Sequence, residues 1–213
     1  MAAKPRVLKR VLNATAMVLV SFCAFTCWIE RCVEPSAQTV FVFWTHVFAV
    51  LPGKPGLFLR RAYYRWTLDR CAEETNIEFG ALFSRRSAIL DAGAYVGAYA
   101  VIGSAWLQQN CLVGSRVSLL SGGPHHELLP SGEWSATDHT KLRRITIGAN
   151  TWIGEGAIVM ADIGEGCMVA AGAVVSTSVP AGVMVAGNPA RFVRRLTDRL
   201  ASDVNATSVS AVR

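Results

Sequence analysis

Hydrophobic and polar positions divide the chain at about residue 76. From Ile77 onward an aliphatic or aromatic residue recurs every six positions: Ile77, Phe83 and Ile89, then Leu90, Val96 and Ile102, then Leu107, Val113 and Leu119. After an interruption the step resumes at Ile147, Ile153 and Val159, and again at Ile163, Val169 and Val175. Glycine directly follows at Val96-Gly97, Ile102-Gly103, Val113-Gly114, Ile147-Gly148, Ile153-Gly154 and Ile163-Gly164. A helix repeats apolar residues every three or four positions and a half-buried strand every two, so this step fits neither. It fits a β-solenoid in which each hexapeptide gives a short strand with an inward aliphatic and a corner of small residues. Three hexapeptides close one coil, and coils stack about 4.8 Å apart with strands in parallel register.

The first 75 residues follow a different rule. Val11 to Ile29 is free of charge, and a helix of that length at about 1.5 Å per residue reaches across most of a bilayer core of roughly 30 Å. Lys4, Arg6, Lys9 and Arg10 precede it, which places its start at the cytoplasm. A second apolar stretch, Gln38 to Leu51, is too short to span upright and ends at Pro52-Gly53. Beyond it Lys54, Arg60, Arg61, Arg65 and Arg70 alternate with Tyr63, Tyr64 and Trp66, a pattern expected at a cytoplasmic membrane surface. Both basic flanks ask for the same side. The expectation is therefore a membrane-associated helical segment, residues 1–75, that enters and returns, at the cytoplasmic face of an inner membrane.

Composition sharpens this picture. Apolar residues make up 52% of the 213-residue chain and charged residues 17%, against roughly 45–50% and 25% in an average domain, which excludes a disordered chain or coiled coil. The net charge is +6, and residues 1–70 carry ten Lys/Arg against three Asp/Glu, so the excess sits beside the apolar stretches. That location favours a membrane over nucleic acid as the partner. The six cysteines show no C-x-x-C pair and read as reduced, buried thiols.

The run from Ile147-Gly-Ala-Asn-Thr-Trp-Ile-Gly-Glu-Gly through Val169-Ala-Ala-Gly-Ala-Val-Val to Val179-Pro-Ala-Gly-Val-Met-Val-Ala-Gly-Asn-Pro-Ala-Arg resembles the hexapeptide-repeat acyltransferases, such as maltose, galactoside and polysaccharide O-acetyltransferases. The leader with Leu51-Pro-Gly and Arg60-Arg-Ala-Tyr-Tyr-Arg is similar to a membrane-associated subgroup. The resemblance implies a left-handed parallel β-helix over residues 76–189, a homotrimer with active sites between prisms, and an O-acetyltransferase that moves an acetyl group from acetyl-CoA to a hydroxyl of a sugar or lipid-linked glycan, with no metal. A helix is expected over 190–200 as a cap on the open end of the prism, and the small, polar tail 201–213 reads as disordered.

The repeat lapses over residues 120–145, which hold His125, His126 and His139. Repeat scaffolds carry function on such excursions. In the family a loop histidine removes the proton of the acceptor hydroxyl, a task that suits imidazole near pH 7. His126 lies 21 residues before Ile147, the spacing the resemblance implies for the base, with His125 as the alternative and Glu127 or Asp138 to orient the ring. Residue-by-residue matching implies a donor site with Trp152, Gly154 and Glu155 along the pantetheine, Ala171, Gly172, Ser176 and Thr177 beside it, and Arg191 and Arg194 at the nucleotide phosphates. Thr177 stands where relatives carry lysine. Two other readings of the same scaffold are a zinc enzyme of the γ-carbonic-anhydrase kind, which needs three converging histidines, and a noncatalytic membrane scaffold.

Overall fold

The computed structural model describes residues 3–123, 126–136 and 141–196. Within them four helices, α1 (Ala3–Leu19), α2 (Ser21–Val33), α3 (Thr39–Ala49) and α4 (Gly53–Thr67), precede a parallel β-solenoid of about six coils. The solenoid is the arrangement expected of a left-handed β-helix. It opens with the strand Arg70–Cys71, earlier than the expected boundary at residue 76.

Three sheets form the walls. The first pairs Arg70–Cys71, Ile89–Leu90, Ala105–Leu107 and Ile145–Ile147. The second runs from Asn76–Ile77 through Tyr95–Val96, Leu112–Val113, Trp152–Ile153 and Met168–Val169 to Val183–Ala186. The third stacks Leu82–Phe83, Val101–Ile102, Ser118–Leu119, Ile158–Val159 and Val174–Val175. In each two-residue strand one side chain turns inward, and Ile77, Phe83, Val96, Ile102, Val113, Leu119, Ile147, Ile153, Val159 and Val169 are all fully buried. The inward residue of the Ile89–Leu90 strand is Leu90; Ile89 faces outward, because the corner after Phe83 holds one residue more than the six-residue step allows. Truncating such a residue removes contacts on all three walls, at a typical cost of about 2–5 kcal/mol.

Coils approach backbone to backbone at the corners. A Cβ on Gly97 would lie 2.6 Å from the Gly114 carbonyl carbon, which explains why small residues follow the inward aliphatics. Asn110 and Asn150 take positive φ (57° and 55°) at equivalent corners, a conformation that asparagine tolerates better than most residues.

The two ends of the tube are closed differently. At the far end residues 191–195 are a strand, not the expected helix: Arg191–Arg195 returns antiparallel on Val183–Ala186. This pairing satisfies the edge of the second sheet, and Ala190 N donates to Val174 O at 2.8 Å over the edge of the third. Edge hydrogen bonds that a helix would leave open decide the outcome. Residues 197–213, including the remainder of that expected helix and the tail, lie outside the described residues.

The near end is covered by α3 and α4, and here four residues expected at a membrane surface are buried. Arg60 and Arg61 are 1% and 3% exposed, and Tyr63 and Tyr64 are completely enclosed. Arg60 donates through Nε to Ile77 O (3.0 Å) and through Nη1 to Leu51 O (2.6 Å), Phe48 O (3.2 Å) and Ala49 O (3.4 Å). The three carbonyls on Nη1 belong to the end of α3 and the loop after it, where a helix leaves intrahelical acceptors free. Arg61 reaches Asn13 of α1 and Thr75 O. Arg86 ties the α2–α3 connection down through Glu30 and Ala37 O. Trp66, at 57% exposure, does face outward as expected.

No single helix among the described residues is long and apolar enough to cross a membrane. The uncharged stretch from Val11 to Ile29 breaks at Val20, where α1 and α2 meet at 50°. Val18, Leu19, Phe22, Phe25, Trp28, Ile29 and Val33 are nevertheless exposed along this bent pair.

Arg60→Met keeps most of the side-chain volume but removes four hydrogen bonds, leaving Ala49 O with Gly80 N (2.9 Å) and Phe48 O with Leu51 N (3.3 Å) while Leu51 O and Ile77 O lose the guanidinium. We expect a loss of about 2–4 kcal/mol, read as a lower thermal midpoint, while Arg10→Met at an exposed site leaves the midpoint unchanged. An unshifted Arg60→Met midpoint would mean that those carbonyls find other partners.

Candidate functional site

The interruption of the repeat is an arm with two antiparallel legs. At its root Gly122 and Arg143 exchange backbone hydrogen bonds, both 2.8 Å. Further out Ser135 N donates to Glu127 O and Leu129 N to Glu133 O, both 2.9 Å, with Leu128 and Trp134 bridged between them. The tip turns at Pro130-Ser131-Gly132, where Gly132 has φ +83° and Leu129 accepts from Gly132 N. Asp162, one coil on, fixes the returning leg by accepting from Arg143 (2.9 Å) and from Thr146 N (2.7 Å). Arg144 holds the same leg to the wall through Ser87 O and Asp69, both 2.7 Å.

His126 is exposed on the outgoing leg, with Nδ1 2.8 Å from Ser135 O. A carbonyl oxygen only accepts, so the neutral ring donates from Nδ1 and leaves the lone pair on Nε2. An exposed imidazole with a fixed tautomer and a basic outer nitrogen is the geometry of a general base. The orienting partner is thus a backbone carbonyl. Glu127, one of the two carboxylates expected in that role, instead accepts from Lys141 Nζ at 2.8 Å. The other, Asp138, lies outside the described residues, as do His125 and His139.

The nominated donor residues gather only in part. Trp152 is half exposed on the outer face of the second sheet, in line with Met168, Met184 and Arg194 on successive strands. Three strand steps of about 4.8 Å separate Trp152 from Arg194. Gly154, Glu155, Ala171 and Gly172 share the adjoining corner, where Gly154 N donates to Val169 O (2.7 Å) and Gly172 N to Glu155 O (2.8 Å). A Cβ on Gly154 would come within 2.5 Å of Ala171 N, so glycine is required there by stacking alone. Ser176 and Thr177 are exposed on the next corner, beyond the Val174–Val175 strand. Arg191 is exposed on the return strand and donates to its neighbouring Ala190 O at 3.0 Å. Ser135 and Asp162 were not singled out from the sequence; Asp162 had a legible signal in its place directly before Ile163, whereas Ser135 had none. No group of three or more His, Cys, Asp or Glu side chains suited to a metal ion occurs among the described residues.

A maltose O-acetyltransferase from Clostridium difficile 630 superposes on the chain with a TM-score of 0.61 at 16% identity, covering 73% of this chain and 84% of that one. The chain has the fold of the hexapeptide-repeat acyltransferases. A galactoside acetyltransferase in complex with coenzyme A aligns at a TM-score of 0.48 and 21% identity, over 74% of this chain and 82% of that one. AntD, an N-acyltransferase from Bacillus cereus, aligns at 0.49 and 14%, over 64% and 77%. No protein-family model matches the sequence, and no curated protein is significantly similar to it.

Thiols take no part in this arrangement. Five cysteines are buried and Cys32 is exposed. Burial pushes the Cys71 thiol up to about 11 and Cys111 up to about 12, the latter with help from the charge of Asp91. Neither is a nucleophile near neutrality. Native protein treated with a maleimide at pH 7.5 is expected to gain one label per chain, on Cys32, by intact-mass measurement; rapid labelling of Cys71 or Cys111 would contradict their enclosure.

Proposed function

We propose that the protein is an O-acetyltransferase that uses acetyl-CoA to acylate a hydroxyl of a sugar or a lipid-linked glycan, with His126 as general base. The observation that carries this reading is the His126 ring itself, exposed on the arm with Nδ1 committed to Ser135 O and Nε2 left basic. The fold shared with a maltose O-acetyltransferase supports it. Nε2 takes the hydroxyl proton as the acceptor oxygen attacks the thioester carbonyl. The tetrahedral adduct collapses with cleavage of the carbon–sulfur bond, and the imidazolium returns its proton to the departing CoA thiolate. No acyl-enzyme is required, because the thioester is already activated. The Ser135 carbonyl stabilises the ring while it is cationic, the part that a carboxylate plays in other base–orienter pairs.

The donor would lie along the outer face of the second sheet, with Trp152, Gly154, Glu155, Ala171 and Gly172 beside its pantetheine arm, Ser176 and Thr177 further round the coil, and Arg191 and Arg194 on the nucleotide phosphates. That face also supports a homotrimer. Tyr95, Leu112, Trp152, Met168 and Met184 form an outward apolar ladder on the second sheet, and on the third Val101 and Ile158 stand at 40% and 38% exposure on either side of Ser118. Apolar faces of this extent on a soluble surface mark an interaction site. The exposed apolar belt on α1 and α2 supports association with a membrane, and the basic N-terminal flank its cytoplasmic face.

His126→Ala is expected to lower turnover by about 10²–10⁴ with acetyl-CoA binding by calorimetry preserved. Wild-type turnover in that variant would remove His126 from the reaction, and absence of saturable acetyl-CoA binding by the native protein would remove the reaction itself.

A further inference from the structure

One face of α2 steps in threes from Phe22 to Phe25 to Trp28 and ends, in the last turn of the helix, at Arg31. The three aromatics are exposed (68%, 55% and 59%), and Phe25 and Trp28 stack at 5.8 Å with 18° between their planes. Together with the exposed Trp66 of α4 they wall an open trench of about 610 Å³. At its Ala24, Trp28 and Trp66 end the trench continues into a cleft of about 50 Å³ that Arg31 and Arg86 also line. Hydrophobic walls thus lead to two guanidinium groups.

The charges in this cleft do not balance. Asp69 is shared by Arg31 at 3.8 Å and Arg144 at 2.7 Å, one carboxylate between two cations. Arg86 is bound to Glu30 and Ala37 O, but its Nε is buried with no hydrogen-bond partner among the described residues. One carboxylate between Arg31 and Arg144 leaves a place for an anion with free oxygens at the exposed Arg31. A phosphate entering the cleft at Arg31 would supply the missing charge. Aromatic side chains with one apolar face and one wet edge suit the hydrocarbon behind it.

We propose that this trench and cleft hold a lipid phosphate, with a single hydrocarbon chain along Phe22, Phe25, Trp28 and Trp66 and the phosphate at Arg31, and that this amphiphile is the anchor of the acceptor. The assignment of the occupant as an acceptor rests on the acetyltransferase reading given above. Its second support is position: Arg144, joined to Arg31 through Asp69, is the residue by which the returning leg of the His126 arm is tied to the wall. A headgroup at Arg31 therefore lies beside the root of that arm, and a sugar carried on the phosphate extends from there.

The test uses the full chain in nonionic micelles, titrated by native mass spectrometry with dodecyl phosphate, dodecanol and inorganic phosphate. Dodecyl phosphate is expected to bind one per chain and at least about tenfold more tightly than dodecanol, with inorganic phosphate weaker still. Arg31→Ala, at a site where the side chain is 58% exposed, is expected to abolish the preference for phosphate over alcohol; Trp66→Ala is expected to weaken both chains while retaining it. Equal binding of the two dodecyl compounds, or a full preference in Arg31→Ala, would overturn the site and leave plain insertion of aromatics into a bilayer. Inorganic phosphate binding as tightly as dodecyl phosphate would remove the trench from the proposal. Acetyl-CoA calorimetry on the same samples separates the two readings. Retained CoA binding without phosphate selectivity sinks the lipid site alone, and selective dodecyl phosphate binding without CoA binding sinks the acetyltransferase reading alone.

Discussion

A stacked tube must end somewhere, and the guanidinium of Arg60 is where this one begins. The last carbonyls of α3 and the loop after it converge on its Nη1, while its Nε donates to Ile77 in the first coil. Burial holds the Arg60 pKa below the ordinary arginine value, but even a lowered arginine remains cationic near neutrality. The carbonyl dipoles at the helix end compensate the charge, since they carry the negative pole of α3. A lysine has neither the planar fork nor the five donors needed to serve two elements at once. With Arg61 and Arg86 making the same kind of contact to α1 and to the α2–α3 connection, the helices are fastened onto the prism rather than tethered to it.

The solenoid was legible because its physics is one-dimensional. An inward position every six residues is a local property that Val96, Ile102, Val113 and Leu119 each display without reference to a partner. The error at Ile89 shows the limit of the rule: corners vary by a residue, Phe83 to Leu90 being one longer than the six-residue step, and only stacking on Leu107 decides which side chain turns in. Arg60 and Arg61 depart from the expected surface position for the converse reason. A basic and aromatic mixture looks the same in sequence whether it faces lipid headgroups or a set of unsatisfied carbonyls, and carbonyls carry no letter of their own. The C-terminal strand failed as an expected helix on similar grounds, because its conformation is set by the open edge of Val183–Ala186 and not by Arg191–Arg195.

The same blindness to the backbone governs the site. His126 is nominated by its spacing to Ile147, yet the group that fixes its ring is the carbonyl of Ser135, brought opposite by the register of the arm. Glu127 offered the more visible chemistry and is drawn away by Lys141. Asp162 acts at a distance, since by holding both Arg143 and Thr146 N it sets the angle at which the arm leaves the wall. Of the donor residues, those on a shared strand stack or corner could be placed together by counting coils. Ser176 and Thr177 stand apart because a corner and a sheet face are different sides of the prism.

The surplus of positive charge has a different meaning once each cation is located. Arg60, Arg61 and Arg86 are consumed inside the protein, and Arg143 and Arg144 are answered by Asp162 and Asp69. Among the described residues, those that remain exposed near the apolar helices include Lys9, Arg10 and Lys54, and also Arg31, which shares Asp69 with Arg144. Lys54 borders a groove with Leu12, Ala16 and Leu19, so the start of α4 lies along the second half of α1 and not against its start. Composition alone suggests a basic surface spread over the first third of the chain; Arg60 and Arg61 lie inside the protein instead. Exposed Lys9 and Arg10 beside exposed Leu12 support the proposed contact with an anionic bilayer, since exposed charges act only within about 8 Å at physiological salt. The proposed membrane face is accordingly the exposed apolar belt of α1 and α2 together with its basic flank, and not the buried arginines that follow Pro52.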